Sequence, residues 1–280
     1  MPDEILEIPQ AEESPERREA EERSAPSGKV VYRAIMKEGE EELARPSAAL
    51  FWSGLAAGLS MGFSMIAEGL LHAYLPDAPW RPLVSKLGYS VGFLIVILGR
   101  QQLFTENTLT PILPLLKRRR AATVGNVARL WSVVLVANLL GALAVALVCA
   151  RTEAFDPHVR ESFAELGRRA TEHGFGVTLL RGVFAGWLIA LMVWLLPFAE
   201  TARVWVIVIV TYVVGLGHFS HIIAGAVEVF ALAAAGQASW ASVLGGYVAP
   251  TLVGNILGGV TLVATLNHAQ VVAGGGGEDL

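Results

Sequence analysis

Leu103-Phe104-Thr105-Glu106-Asn107 interrupts an apolar stretch running from about Val84 to Leu116, and His218-Phe219-Ser220-His221 interrupts another, from about Val204 to Ala235. Each is followed by an Asn-[Leu/Ile]-Leu-Gly segment, Asn138-Leu139-Leu140-Gly141 in the first case and Asn255-Ile256-Leu257-Gly258 in the second. Backbone that leaves the helix inside hydrocarbon must find partners in protein or water, because each bare N–H or C=O costs several kcal/mol there. Polar breaks at corresponding places of two halves therefore point to a solute path near the bilayer midplane.

The composition places these breaks in a membrane. Hydrophobic residues make up 54% of the 280 residues and charged residues 16%, against about 25% charged in an ordinary soluble domain. A spanning helix needs roughly 20 mostly apolar residues. Six stretches qualify: about 48–74, 83–116, 126–150, 174–197, 203–235 and 243–267. The second and fifth are long enough to hold two half-helices and a link.

The halves share further landmarks. Leu103-Phe104-Thr105 matches His218-Phe219-Ser220, the two Asn motifs follow at nearly the same separation, and Gly54-x-x-x-Gly58 is echoed by Gly182-x-x-x-Gly186. Three spans per half is an odd number, so the second half must be inverted. The expected fold is an all-α membrane protein of six transmembrane helices in a 3+3 inverted repeat, with helices 2 and 5 broken. Chance similarity among Gly- and Leu-rich helices is the competing explanation, since GxxxG alone has little specificity.

The expected organisation is a disordered charged tail (1–28), an amphipathic cytoplasmic segment (29–47), the six-helix domain (48–268) and a flexible C-terminal tail (269–280). Met1–Ala25 is rich in Glu and holds no apolar run of signal-peptide length. Val30–Leu43 mixes Val30, Val31, Ala34 and Ile35 with Arg33, Lys37 and a Glu cluster, as an interfacial helix would. The link holding Lys117, Arg118, Arg119 and Arg120 is the most basic short loop. Positive-inside logic puts it in the cytoplasm of a multi-pass inner-membrane protein, with both termini on the same side. The charged loop Arg151–His173 then lies outside. Cys149 is the only cysteine, which excludes an intrachain disulfide.

At these motifs the chain resembles the formate/nitrite transporter family. The family's first break reads Leu-Phe-Thr, as in Leu103-Phe104-Thr105. Its second reads Gly-Phe-x-His-Ser-Ile-Ala-Asn, compared here with Phe219-Ser220-His221-Ile222-Ile223-Ala224-Gly225. Tyr89-Ser90-Val91-Gly92-Phe93 is similar to the family's constriction on the second span. The resemblance covers roughly residues 30–268 and implies a homopentamer in which each protomer has an aquaporin-like inverted repeat and its own pore. It also implies passage of a small monovalent anion or weak acid, such as formate or nitrite, aided by the central His221. Departures are equally specific: the family's Ser and Asn after the histidine are Ile222 and Gly225 here, its pore Phe aligns with Val214, and its Lys at the mouth of the fourth span aligns near Ala170, beside Arg169.

The candidate path residues are therefore His221, Thr105, Phe104, Leu103, Phe219, Ser220, Tyr89, Phe93 and Val214, with Arg169 as an entrance charge. Thr105 also reads as an N-cap, and Phe104 and Phe219 read equally as packing residues. Arg100 and Glu228 are candidates for an ion pair in the pore, with Arg181 an alternative partner for Glu228. Glu68 and His72, at i, i+4 in the first span, read either as functional groups or as a polar rim. His218 and His221 supply two ligands where a closed metal site needs about four, so no metal or other cofactor is expected. A neutral-solute channel lacks the Asn-Pro-Ala signature, and no Walker motif supports nucleotide-driven pumping. A membrane metalloenzyme and a non-conducting sensor or scaffold complete the alternatives. The expected partners are the lipid bilayer, a small anion and copies of the same chain, not nucleic acid, and no enzymatic activity is expected.

Overall fold

A computed structural model of the chain describes residues 27–271 and 273, and among these all regular structure is helical. The acidic tail through Pro26 lies outside the described residues, as does 274–280. The elements are α1 (Gly28–Ala44), α2 (Ser47–Tyr74), α3 (Arg81–Leu98), α4 (Ile112–Arg118), α5 (Ala121–Arg151), α6 (Pro157–Ala170), α7 (Phe175–Phe198), α8 (Arg203–Leu216), α9 (Ile222–Ala234) and α10 (Trp240–Val271). The C-terminal segment expected to be a flexible tail from residue 269 thus begins as helix, through Val271.

Five helices, α2, α3, α5, α7 and α10, are long and apolar enough to cross a membrane. Helices α8 and α9, of 14 and 13 residues, are each too short to do so alone. Between α3 and α4 the chain makes only a short 3-10 turn, Glu106–Thr108.

The molecule's exterior is apolar: Trp52, Trp205, Ile209 and Leu180 are all exposed. Its interior is partly polar, with Glu68, Thr105, Asn138, His221 and Asn255 all buried. Water would favour the reverse arrangement, and lipid or neighbouring subunits suit this one. Helix α9 is apolar almost all round apart from Glu228 and buried along its whole length, which puts it at the centre.

Close helix packing around it depends on glycine. Helix α2 packs on α5 and α7 on α10. A Cβ on Gly58 would strike the backbone of Asn138, and one on Gly186 the backbone of Asn255. Both GxxxG pairs therefore bring an asparagine-bearing helix to backbone distance.

Two peripheral helices complete the fold. Helix α1 buries Tyr32, Ile35, Met36, Gly39 and Leu43 at helical spacing, against α4, α5 and the end of α10. Its apolar face thus lies on protein. Tyr32 Oη sits 2.8 Å from His268 Nδ1. The segment read as a charged loop contains α6. Its Val159, Phe163, Leu166 and Ala170 form a stripe against α2 and α9.

Candidate functional site

The two breaks are built alike. Helix α3 ends as Arg100 turns left-handed (φ 53°), and α8 ends as His218 does the same (φ 50°). Gln101 N–H then donates to Val96 O, and Phe219 N–H to Val214 O, both at 3.0 Å. These are Schellman-type ends, and they turn the chain out of each helix.

A buried asparagine then holds each departing segment. Asn138 Nδ2 donates to Gly54 O (2.7 Å) and Gln102 O (2.9 Å), and its Oδ1 accepts Phe104 N–H (2.9 Å). Asn255 Nδ2 donates to Gly182 O (2.9 Å) and Ser220 O (2.8 Å), and its Oδ1 accepts Ile222 N–H (2.9 Å). A primary amide offers two donors and an acceptor in one plane, which suits it to bind two carbonyls and an N–H. These bonds equate Gln102 with Ser220 and Phe104 with Ile222. That corrects the motif-level match of Leu103-Phe104-Thr105 with His218-Phe219-Ser220. In this register His221 occupies the position of Leu103, so Thr105 and His221 are not equivalent residues.

Thr105 and His221 meet nonetheless. Thr105 Oγ1 lies 2.8 Å from His221 Nε2, and both residues are fully buried. His221 is also the N-cap of α9: its Nδ1 accepts Ile223 N–H at 3.3 Å and Ala224 N–H at 3.2 Å. An Nδ1 that accepts two backbone bonds carries no proton, so the neutral ring holds its hydrogen on Nε2 and donates it to Thr105. The Thr105 hydroxyl keeps its own hydrogen to offer elsewhere.

The remaining candidate residues surround this contact. The Phe93 ring stands edge-on to His221 at 4.9 Å between centroids, and Tyr89 lies 5.4 Å from Phe93. Leu103 is fully buried. Phe104 packs edge-on to Trp131, and Phe219 stacks on Phe184 of α7.

A cavity opens on either side. One, of about 40 Å³, is lined by Tyr89, Val214, Phe219, Ser220, Arg169 and Glu228 among others. The other, of about 330 Å³, lies beneath α1 and is lined by Glu38, Glu42, Arg100, Gln102, Glu106 and Arg203 among others. Neither includes Thr105 or His221.

The Arg100–Glu228 pair is corrected by this geometry. Arg100 lines the α1-side cavity and pairs with Glu38 at 3.5 Å, whereas Glu228 lines the opposite cavity. The two belong to opposite ends of the site because Glu228 lies two helical turns beyond His221. Glu68 and His72 are both engaged: Glu68 Oε1 lies 2.5 Å from Lys86 Nζ, and His72 Nε2 lies 3.0 Å from Glu165 Oε2. Arg169 also bonds Glu165. Burial pushes the Glu165 carboxyl up, but Arg169 and His72 outweigh it and hold the group below its ordinary value.

Four residues gain importance only in three dimensions. Lys86 neutralises Glu68. Glu42 of α1 accepts bonds from Thr110 and from Gln102 Nε2 (3.2 Å), tying α1 to the first break. The Asn107 amide turns its Nδ2 to the same carboxylate and donates to it at 3.2 Å. Tyr247 lies across the gap left by Gly225: a Cβ there would collide with its hydroxyl, which reaches to 3.5 Å from His221 O. Where the family pattern has Asn, this chain pairs an empty position with a tyrosine from α10. A lone glycine in a helix is the only sequence signal of that exchange.

A family model described as Formate/nitrite transporter matches residues 29–269. The chain belongs to the formate/nitrite transporter family. Among curated relatives, the Escherichia coli (strain K12) protein named Inner membrane protein YfdC is 39% identical over 242 residues, covering 86% of this chain and 78% of its own. The Bacillus subtilis (strain 168) protein named Uncharacterized transporter YrhG is 25% identical, covering 84% and 90%. Among solved structures, one described as an FNT family ion channel superposes with a TM-score of 0.75 at 20% identity, covering 86% of this chain and 99% of that one. Another, described as a pentameric formate channel with formate bound, gives 0.68 at 21%, covering 81% and 98%. At these identities the structural likeness speaks for the fold.

Proposed function

We propose that this protein carries a small monovalent anion or weak acid, of the formate or nitrite kind, through a path in each protomer of a homopentamer. In this reading α3 with α4, and α8 with α9, are two interrupted spans of a six-span, 3+3 inverted repeat. The parallel bonding of Asn138 and Asn255 supports it. The path runs from the Arg169 side, past Tyr89 and Val214, through Phe93, His221 and Thr105, to the cavity beneath α1. The protein sits in the inner membrane with both termini cytoplasmic, as the basic link after α4 argues.

The contact between Thr105 and His221 carries the reading. It lies between the two cavities and joins the two breaks. An anion in a low-dielectric passage must trade water for fixed donors or become neutral. His221 Nε2–H polarises the Thr105 hydroxyl, whose free hydrogen can face the solute. The ring itself stays neutral while Nδ1 caps α9, so its part is to orient Thr105, and the solute crosses paired with a proton drawn from elsewhere. Arg169 and Arg181 bring the anion to the mouth.

The test is flux into proteoliposomes with a panel of formate, nitrite, acetate, chloride and glycerol at pH 5 to 8. The expected result is passage of small weak-acid anions, faster at low pH, with glycerol excluded. Passage of glycerol alone would support a neutral-solute channel, and passage of nothing would refute transport.

A further inference from the structure

The cavity on the Arg169 side contains a carboxylate that the transport reading does not use. Glu228 is nine-tenths buried, lines the cavity, and makes no side-chain hydrogen bond or ion pair among the described residues. It projects from α9 on the stripe formed by His221 and Gly225, at i, i+4 and i+7. Two turns of helix place it about 10 Å from His221 along the axis.

The charges facing it are mostly spent. Lys86 on α3 lines the same cavity but is held 2.5 Å from Glu68 of α2, and both are buried. Arg169 on α6 bonds Glu165, which also holds His72. Tyr89 and Tyr247 present neutral hydroxyls, and His173 and His218 lie at the rim. Arg151 of α5 bonds the Ala234 carbonyl at the far end of α9. Arg181 on α7 is the cation of this lining that makes no ion pair among the described residues. Ionisable residues at membrane depth mark substrate paths and proton relays, and Glu228 is such a residue on a cavity wall.

We propose that Glu228 is the proton site of this path: it holds a proton at the mouth and passes it to the incoming anion. The proposal rests on the transport reading for that anion. It answers the question left by His221, whose Nδ1 is occupied by the α9 cap. An oxyanion drawn in by Arg181 meets the Glu228 acid. The O–H bond of the side chain breaks, an O–H bond forms on the solute, and the neutral acid moves on towards Phe93. Solvent at the mouth then returns a proton to Glu228. The cavity, at about 40 Å³, has room for about three waters and hence for a solute of formate's size.

Infrared difference spectroscopy of the protein in bilayers tests this without depending on flux. Wild type is expected to show a protonated-carboxyl C=O band that Glu228→Gln lacks, with intensity falling when formate is added. In proteoliposomes Glu228→Gln is expected to pass formate at least tenfold more slowly at pH 6, with Glu228→Asp restoring part of the rate. Both variants must retain the wild-type oligomer mass. An identical band in Glu228→Gln, a band indifferent to formate, or wild-type flux in Glu228→Gln overturns the proposal. Wild type that shows the formate-sensitive band yet moves no anion refutes transport while supporting the proton hand-off at the mouth.

Discussion

Replacing Asn138 by Ala removes three hydrogen bonds at a site with no solvent. Side-chain bonds between membrane helices average about 0.6 kcal/mol each, so the three contribute about 2 kcal/mol by that measure. Two of their partners, Gln102 O and Phe104 N–H, belong to backbone that has left the helix and has no intrahelical substitute. A buried backbone group left bare costs about 1–3 kcal/mol. With two such groups, the expected loss is about 4–8 kcal/mol. Thermal unfolding in detergent is the assay, where a loss of that size lowers Tm by roughly 8–32 °C in a large domain. Asn255→Ala should cost the same amount, because Asn255 makes the same three bonds to Gly182, Ser220 and Ile222. The double variant should be additive, since the two networks share no residue. A shift of less than 2 °C for either single variant, or strong non-additivity, would refute the claim that each asparagine independently holds one break.

Other expectations follow from the same geometry. Lys86→Met leaves Glu68 buried without its partner and should cost about 3–5 kcal/mol. Lys86→Met with Glu68→Leu should recover most of that, and chemical denaturation of both distinguishes the outcomes. Burial pushes the Glu42 carboxyl up to about 7, so its contribution to docking α1 is fully present below its ordinary value of about 4.5 and is lost as pH rises through about 7. Amide protection in Gly28–Ala44, corrected for the intrinsic exchange rate, should therefore fall between about pH 5 and 7, by up to about 3 kcal/mol, and Glu42→Gln should abolish that fall. Gly225→Ala should lower Tm by its collision with the Tyr247 hydroxyl, and Tyr247→Phe in the same chain should restore part of the loss.

Much of the fold was legible because bilayer physics writes itself into sequence. Twenty-residue apolar stretches, two polar breaks and paired GxxxG motifs located the helices that pack face to face. Thr105 and His221 could be named together because each sits in a break. What sequence could not supply was register and partnership. Leu103-Phe104-Thr105 and His218-Phe219-Ser220 look alike as strings, yet the asparagine bonds equate different residues. Arg100 and Glu228 are opposite charges near two breaks, but the helical rise carries them to opposite cavities. Helix α6 was hidden because its charged face dominates its composition, while its apolar stripe emerges only at a period of 3.6. Lys86 and Tyr247 act on residues distant in the chain, and nothing local marks them.

The central claim is that the solute passes the Thr105 hydroxyl where it meets His221. Thr105→Val keeps the side chain's shape and removes that hydroxyl. The direct measurement is formate flux into proteoliposomes holding wild type or Thr105→Val, at matched protein density and oligomer mass, from pH 5 to 8. At least a tenfold slower rate across the range, with assembly unchanged, is the result expected here. Equal rates at every pH would contradict the account.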